Sequence, residues 1–253
     1  MAKILAVVNQ KGGVGKTTTS INLSAFLAKE GKQTLLIDVD PQANATSGLG
    51  VSRESIKATV YDIIAKQTHP VSAITLTSIR GLHTIPSTED LAGAEIEIIN
   101  FPRREFRLKD ALDNIGHNYN YIIIDCPPSL GLLTINALTA AHKVLIPVQT
   151  EYYALEGLGH LLKTVTLVKN ALNPQLEIAG ALLTMHDKRL KISYRIIEEV
   201  RNHFPGRVFE TIIPRNIRLA EAPSFGQSIF SYDLFSSGAR AYKNLAREVI
   251  ESE

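Results

Sequence analysis

Cysteine is almost missing from this sequence: Cys126 is the only one in 253 residues. No intrachain disulfide can form, and iron–sulfur or zinc sites built from several thiolates of one chain are excluded, which fits a reducing cytosol. Long apolar runs are missing as well. None approaches the ~20 residues of a membrane span, and the longest uncharged stretch, from Cys126 to His142, is interrupted by Pro127, Pro128, Ser129, Gly131 and Asn136. The first apolar run, Ile4 to Val8, gives way to Asn9, Gln10 and Lys11 and is too short for a signal-peptide core. A soluble, unexported protein is expected. There is little excess of either charge: a net +2 does not argue for nucleic-acid binding by itself, so any such case must rest on how charge is distributed. Repeats, low-complexity tracts and linkers rich in Pro, Gly or Ser are also lacking.

What is present is an ordinary globular composition, 45% hydrophobic and 21% charged, in a chain long enough to bury a core without metal or disulfide staples. Short β-branched runs alternate with longer helical patterns. Strands are expected at Ile4–Val8, Thr34–Ile37, Leu82–Ile85, Tyr121–Ile124, Val144–Val148, Ile178–Leu183 and Val208–Ile213. Helices are expected at Lys16–Glu30, Val60–Ala65, Glu89–Ile99, Arg104–Ile115, Leu132–Ala141, Glu156–Ala171, Ile192–His203 and Ser237–Glu251. The alternation predicts an α/β fold of three layers, a doubly wound, mainly parallel sheet with helices on both faces. Gly31 suits a helix stop, and Thr59 with Asp62 resembles a capping signal. One domain over residues 1–253 is the economical reading. The segment from about Val51 to Pro102 has weak periodicity and is expected to decorate the core rather than extend it.

The strongest signal follows the first strand: Gln10-Lys11-Gly12-Gly13-Val14-Gly15-Lys16-Thr17-Thr18, leading straight into a helical pattern. Glycines let backbone N–H groups wrap phosphate oxygens, the helix N-terminus adds partial positive charge, Lys16 can neutralise β- and γ-phosphates, and Thr17 can bind magnesium. Two acidic positions end strands where a parallel sheet opens onto its ligand crevice. The first is Asp38-Val39-Asp40-Pro41, in which Asp40 could orient an attacking water and Asp38 support the metal shell; a plain Asp-Pro turn is the other reading. The second is Asp125, after Ile122-Ile123-Ile124, a candidate magnesium ligand or a simple strand-end cap. Cys126 reads as a packing residue, and His186 as a surface or satisfied loop residue.

The string KGGVGKTT, with Lys11 added to the ordinary pattern, resembles the deviant Walker A loop of the ParA/MinD class of P-loop ATPases. In that class the extra lysine reaches across a dimer interface to the partner's nucleotide, a role that falls here to Lys11. DVDPQANATSGLG, DCPPSLGLLTINAL, PVQTEYYALEG and IPRNIRLAEAPSFG resemble the ParA/Soj chromosome-partitioning ATPases in particular, over nearly the whole chain. The resemblance implies seven or eight mainly parallel strands, ATP and Mg2+ as cofactors, an ATP-dependent sandwich homodimer, nonspecific binding to double-stranded DNA, and hydrolysis stimulated by a ParB-type centromere-binding partner. It implies Lys11, Lys16 and Asp40 as catalytic residues. Residues 11–18, namely Lys11, Gly12, Gly13, Val14, Gly15, Lys16, Thr17 and Thr18, would hold nucleotide, with Pro214 and Asn216 lining the adenine pocket and Met185 near it. Thr17, Asp125 and Asp38 would hold metal, and Arg189 and Arg218 would contact DNA. A chromosome or a plasmid could be the cargo, and a role in replication regulation is among the functions implied. The family's Asp-x-Arg-Thr pattern after the sixth strand departs here to Met185-His186-Asp187-Lys188-Arg189-Leu190, keeping Arg189.

From His186 to Arg218 eight Lys and Arg residues face four Asp and Glu, a local excess suited to phosphate contact without base readout. An N-terminal helix-turn-helix domain is not expected, since the first strand starts near Lys3. A MinD-like membrane cycle would want a basic amphipathic C-terminal helix, whereas this chain ends Glu251-Ser252-Glu253. A nitrogenase-type iron protein would want two cysteines per subunit. A cytoplasmic, nucleoid-associated protein is therefore expected.

Overall fold

The computed structural model describes residues 2–151 and 157–252. Seven strands form one sheet: β1 Lys3–Val7, β2 Thr34–Asp38, β3 Thr75–Leu76, β4 Leu82–Ile85, β5 Tyr121–Asp125, β6 Lys143–Gln149 and β7 Glu177–Thr184, in the spatial order β3-β4-β2-β5-β1-β6-β7. All neighbours run parallel except β3 with β4. Eleven α-helices surround it among the described residues: α1 Lys16–Lys29, α2 Asn44–Gly48, α3 Val60–Ile64, α4 Leu91–Glu97, α5 Arg107–Leu112, α6 Leu132–Ala140, α7 Leu158–Ala171, α8 Lys191–His203, α9 Ile217–Glu221, α10 Ile229–Tyr232 and α11 Ser237–Glu251. Glu156, the expected start of the sixth helical pattern, lies outside the described residues.

The strands read as near-continuous apolar runs because both faces of the sheet are covered. Alternation of side chains then divides each strand between two cores. Leu5, Val7, Leu36, Ile123 and Leu182 pack with Phe26 of α1 and with Tyr242, Leu245 and Val249 of α11. Ile4, Ala6, Ile37, Ile122 and Ile124 pack on the opposite side with Leu108, Leu138, Leu161 and Val200.

Helix α1 stops where glycine was expected to stop it: Gly31 is left-handed (φ +80°) and its N–H bonds to Ala28 O at 3.0 Å. Ahead of α3, the Asp62 carboxylate accepts from Thr59 N at 2.8 Å and from Thr59 Oγ1 at 3.0 Å.

Two expectations are corrected. The segment from Val51 to Pro102 extends the sheet, contributing β3 at the edge and β4 between β3 and β2, with Leu82, Thr84 and Ile85 fully buried beside β2. Val208–Ile213 is not a regular strand. It follows β7 through bonds from Phe209 N to Ala181 O and Ile213 N to Leu183 O, both 2.9 Å, but between them Glu210 N and Thr211 N turn to the Glu248 carboxylate at 2.8 and 3.0 Å. One carboxylate from α11 thus takes two consecutive N–H groups, which in a regular strand would point to opposite sides.

Candidate nucleotide site

The β1–α1 loop passes twice through left-handed backbone, at Gly13 (φ +74°) and Gly15 (φ +89°), where any side chain would be strained. Gly15 hands the chain to α1 without a capping side chain, which leaves first-turn N–H groups directed at the loop. The loop is tied down from several directions. Asn9 Nδ2 donates to Pro147 O at 2.7 Å, Lys11 N donates to Asn9 Oδ1 at 3.0 Å, and Thr184 Oγ1 donates to Val14 O at 2.9 Å. Val14 is buried, while Gly12 and Gly13 are exposed and Thr17 and Thr18 half-buried. The Lys11 backbone is thereby fixed, and its side chain is half-buried with no ion pair among the described residues.

Lys16 is buried, and its Nζ donates to Lys11 O at 3.0 Å. Burial pulls its pKa down, opposed by the nearby carboxylates of Asp125 and Asp40. Asp125 ends β5, paired in register with both Val7 and Asp38. Its Oδ1 accepts from Ser20 Oγ at 2.8 Å, whereas Oδ2 is buried with no partner. Burial pushes this carboxyl up to about 7, reinforced by Asp38 and resisted by the Ser20 and Thr17 hydroxyls. An orphaned buried carboxylate oxygen beside a threonine hydroxyl is the donor set a magnesium ion uses when it keeps most of its waters. The residues present therefore fit that ion.

Asp38 is also fully buried, but its oxygens are occupied. Oδ1 accepts from Asp40 N at 3.1 Å, and Oδ2 accepts from Thr46 N and Thr46 Oγ1, each at 2.8 Å. Burial raises its pKa to about 6, with the Thr46 bonds pulling the other way. Asp38 thus anchors α2 to the end of β2. Asp40 lies two residues on, 7% exposed, with Oδ1 accepting from Gln42 N at 2.9 Å.

Beside the loop a cavity of about 220 Å³ is lined by Gly15, Thr18, Met185, Pro214, Asn216 and Tyr242. The three residues expected around adenine meet there although about 30 positions separate Met185 from Pro214. His186 N to Ile213 O (3.0 Å) and Arg215 N to His186 O (2.9 Å) join the two segments. Met185 itself is held at φ +54°, a conformation disfavoured for a side-chain-bearing residue. The Asn216 side chain is spent on structure: Oδ1 caps α9 from Arg218 N at 2.8 Å and Nδ2 donates to Ser237 Oγ at 2.7 Å. His186 is not a surface residue. It is buried edge-on to Tyr194, and its Nδ1 has no partner.

The basic residues between 186 and 218 are all exposed, and several are already paired. Arg189 bonds Asp187 at 2.6 Å, Arg215 bonds Glu151 at 2.9 Å, and Arg218 bonds Glu221 at 2.9 Å with Asp233 at 3.7 Å. Lys188, Lys191 and Arg195 have no ion pair among the described residues. Ser20, Thr46, Asn9 and Thr184 escaped the sequence reading. Ser20 alone had a local cue, lying four residues after Lys16 on the same helix face.

This loop, its two acidic strand ends and the parallel sheet define a P-loop nucleotide-binding protein of the deviant Walker A kind. A family profile described as an AAA domain matches residues 2–178. The chain is 57% identical over 249 residues to the sporulation initiation inhibitor protein Soj of Bacillus subtilis, covering 98% of each. It is 52% identical over 253 residues to the chromosome partitioning protein ParA of Myxococcus xanthus, covering 100% of this chain and 89% of the relative. A cobyrinic acid a,c-diamide synthase of Mycobacterium smegmatis, solved with a bound ATP analogue and magnesium, superimposes with a TM-score of 0.88 at 36% identity, covering 99% and 95% of the two chains. The chain belongs to the ParA/Soj family of chromosome-partitioning ATPases.

Proposed function

We propose that the chain is a cytoplasmic, nucleoid-associated, magnesium-dependent ATPase that moves DNA, and that its ATP-bound homodimer binds double-stranded DNA without sequence preference until a ParB-type partner stimulates hydrolysis. Residues 1–253 act as one ATPase domain in this reading. The observation that carries it is the unpartnered Oδ2 of Asp125 beside the buried Lys16. One group is ready to accept a cation and the other to accept phosphate charge, at the mouth of a glycine loop. Magnesium, when bound, would neutralise phosphate charge, with Thr17 and Asp125 holding it. Lys16 and the loop amides bind the phosphates, Asp40 orients water, and the apolar side of the cavity at Met185 and Pro214 receives the base. Lys11 serves the partner's nucleotide, so charge at the phosphates is complete only when two loaded subunits meet.

Membrane cycling is disfavoured. Tyr242, Leu245, Ala246 and Val249, the apolar face of α11, are buried within the domain, and no described helix is long and apolar enough to cross a membrane. The Asp40→Ala variant tests the reading. It should keep ATP-dependent dimerisation in analytical ultracentrifugation while losing at least about hundredfold in hydrolysis. Normal turnover in that variant would remove Asp40 from its role.

A further inference from the structure

Helix α6 starts immediately after the loop that leaves Asp125, and its N-terminus lacks a cap of its own because the N-cap residue is Gly131. First-turn N–H groups need an acceptor. One comes from another element: Leu133 N donates to Glu95 Oε1 of α4 at 3.2 Å. A carboxylate there also suits the positive end of the helix. The second turn of α6 is clamped separately, by Leu108 N to Asn136 Oδ1 at 3.1 Å and Asn136 Nδ2 to Arg104 O at 2.8 Å. Thr134 Oγ1 donates to Ser129 O at 2.7 Å and ties the loop to the same first turn. The loop 126–131 is thus held between Asp125 and a helix end fixed by Glu95.

Gly131 fits this arrangement for a spatial reason. Its φ of −76° and ψ of −170° are open to any residue, but a Cβ there would collide with the Glu95 carboxylate. Glycine at 131 leaves room for the borrowed cap.

We propose that Glu95 is a positioning residue for ATP hydrolysis, fixing the first turn of α6 and through it the loop that follows Asp125. The inference rests on the ATPase reading above. The neighbouring Glu97 provides a control, since its carboxylate accepts from Tyr61 Oη at 3.1 Å and does not cap α6.

Steady-state ATP hydrolysis by the full chain tests it. Glu95→Ala should lower kcat about five- to tenfold, the size of a lost cap, with KM for ATP changed less than about twofold. Glu95→Gln should recover most of the rate, because its amide oxygen can accept the same bond. Gly131→Ala should cause part of the loss by displacing the carboxylate, and Glu95→Ala/Gly131→Ala should be no worse than Glu95→Ala alone. Glu97→Ala should leave kcat unchanged. An unchanged kcat in Glu95→Ala, an equal loss in Glu97→Ala, additive losses in the double variant or a defect confined to KM would each overturn the proposal. If Glu95→Ala fails to fold, an unchanged kcat in Gly131→Ala does the same. Absence of turnover in the wild-type chain would overturn the ATPase reading, whereas turnover indifferent to Glu95 overturns the positioning role only.

Discussion

Asp125 and Lys16 sit where burial disfavours the charge of each, and bound phosphate and cation would relieve both. The sign of the pH dependence follows. In the folded chain without ligands Asp125 titrates near 7, well above the ordinary carboxylate value of 3.8. Between those values the native state holds more protons than the unfolded state, so the stability it contributes is greatest below 3.8 and falls as pH rises through 7. Asp125→Asn, which can still accept from Ser20, should raise the thermal midpoint at pH 8 in chelator by several degrees and flatten its pH dependence. Parallel melting curves for the two proteins from pH 5 to 8 would contradict this. Gly12 offers a second test, since a Cβ added there meets nothing within 4 Å in the chain. Gly12→Val should therefore fold and bind ATP normally, and a loss of the ATP dimer in ultracentrifugation would place the defect at a second subunit. The loop residues 11–18 were legible because their chemistry is contiguous. Thr46 and Glu95 were not, since each acts on a partner 8 and 38 residues away, respectively, that only folding brings within reach.

Among the elements, α11 packed on α1 shows how one helix serves both core and site. Tyr242 is fully buried, lines the cavity beside the loop, and shares a 3.1 Å hydrogen bond with Thr19 Oγ1. Tyr242→Phe should destabilise by about 1 kcal/mol, read as a fall of about 2–4 °C in Tm, because the shape is kept but a buried hydroxyl loses its partner. Equal melting temperatures would show that the bond contributes nothing. The parallel strands were readable from runs such as Tyr121–Ile124, where burial on both faces demands apolar residues throughout. The run Val208–Ile213 is also rich in apolar β-branched and aromatic residues but is interrupted by Glu210 and Thr211, and it fails as a strand because Glu248 takes the N–H groups of those two residues. Helices α2, α9 and α10 have only four or five residues each, too few to show a helical period.

At the scale of the whole molecule, the proposed function needs surfaces that an ATP-bound dimer would complete. The net charge of +2 gives little DNA affinity by itself, so in the proposed reading the local basic excess of the 186–218 segment, displayed twice by a dimer, supplies the phosphate contacts. Arg189 and Arg218 lie in exposed ion pairs, which position the guanidinium groups but contribute little stability. Arg189→Glu or Arg218→Glu should abolish DNA retention in gel shifts while ATP-dependent dimerisation persists. Normal DNA binding by both variants would exclude these two arginines as contacts. The most direct test of the account is binding of random-sequence duplex DNA to purified protein without nucleotide, with ADP, and with ATP plus magnesium, across a salt series and with Asp40→Ala holding the ATP state. The account predicts binding only in the ATP state, indifferent to sequence and falling steeply with salt. An ATP dimer that binds no DNA even at low salt would contradict it.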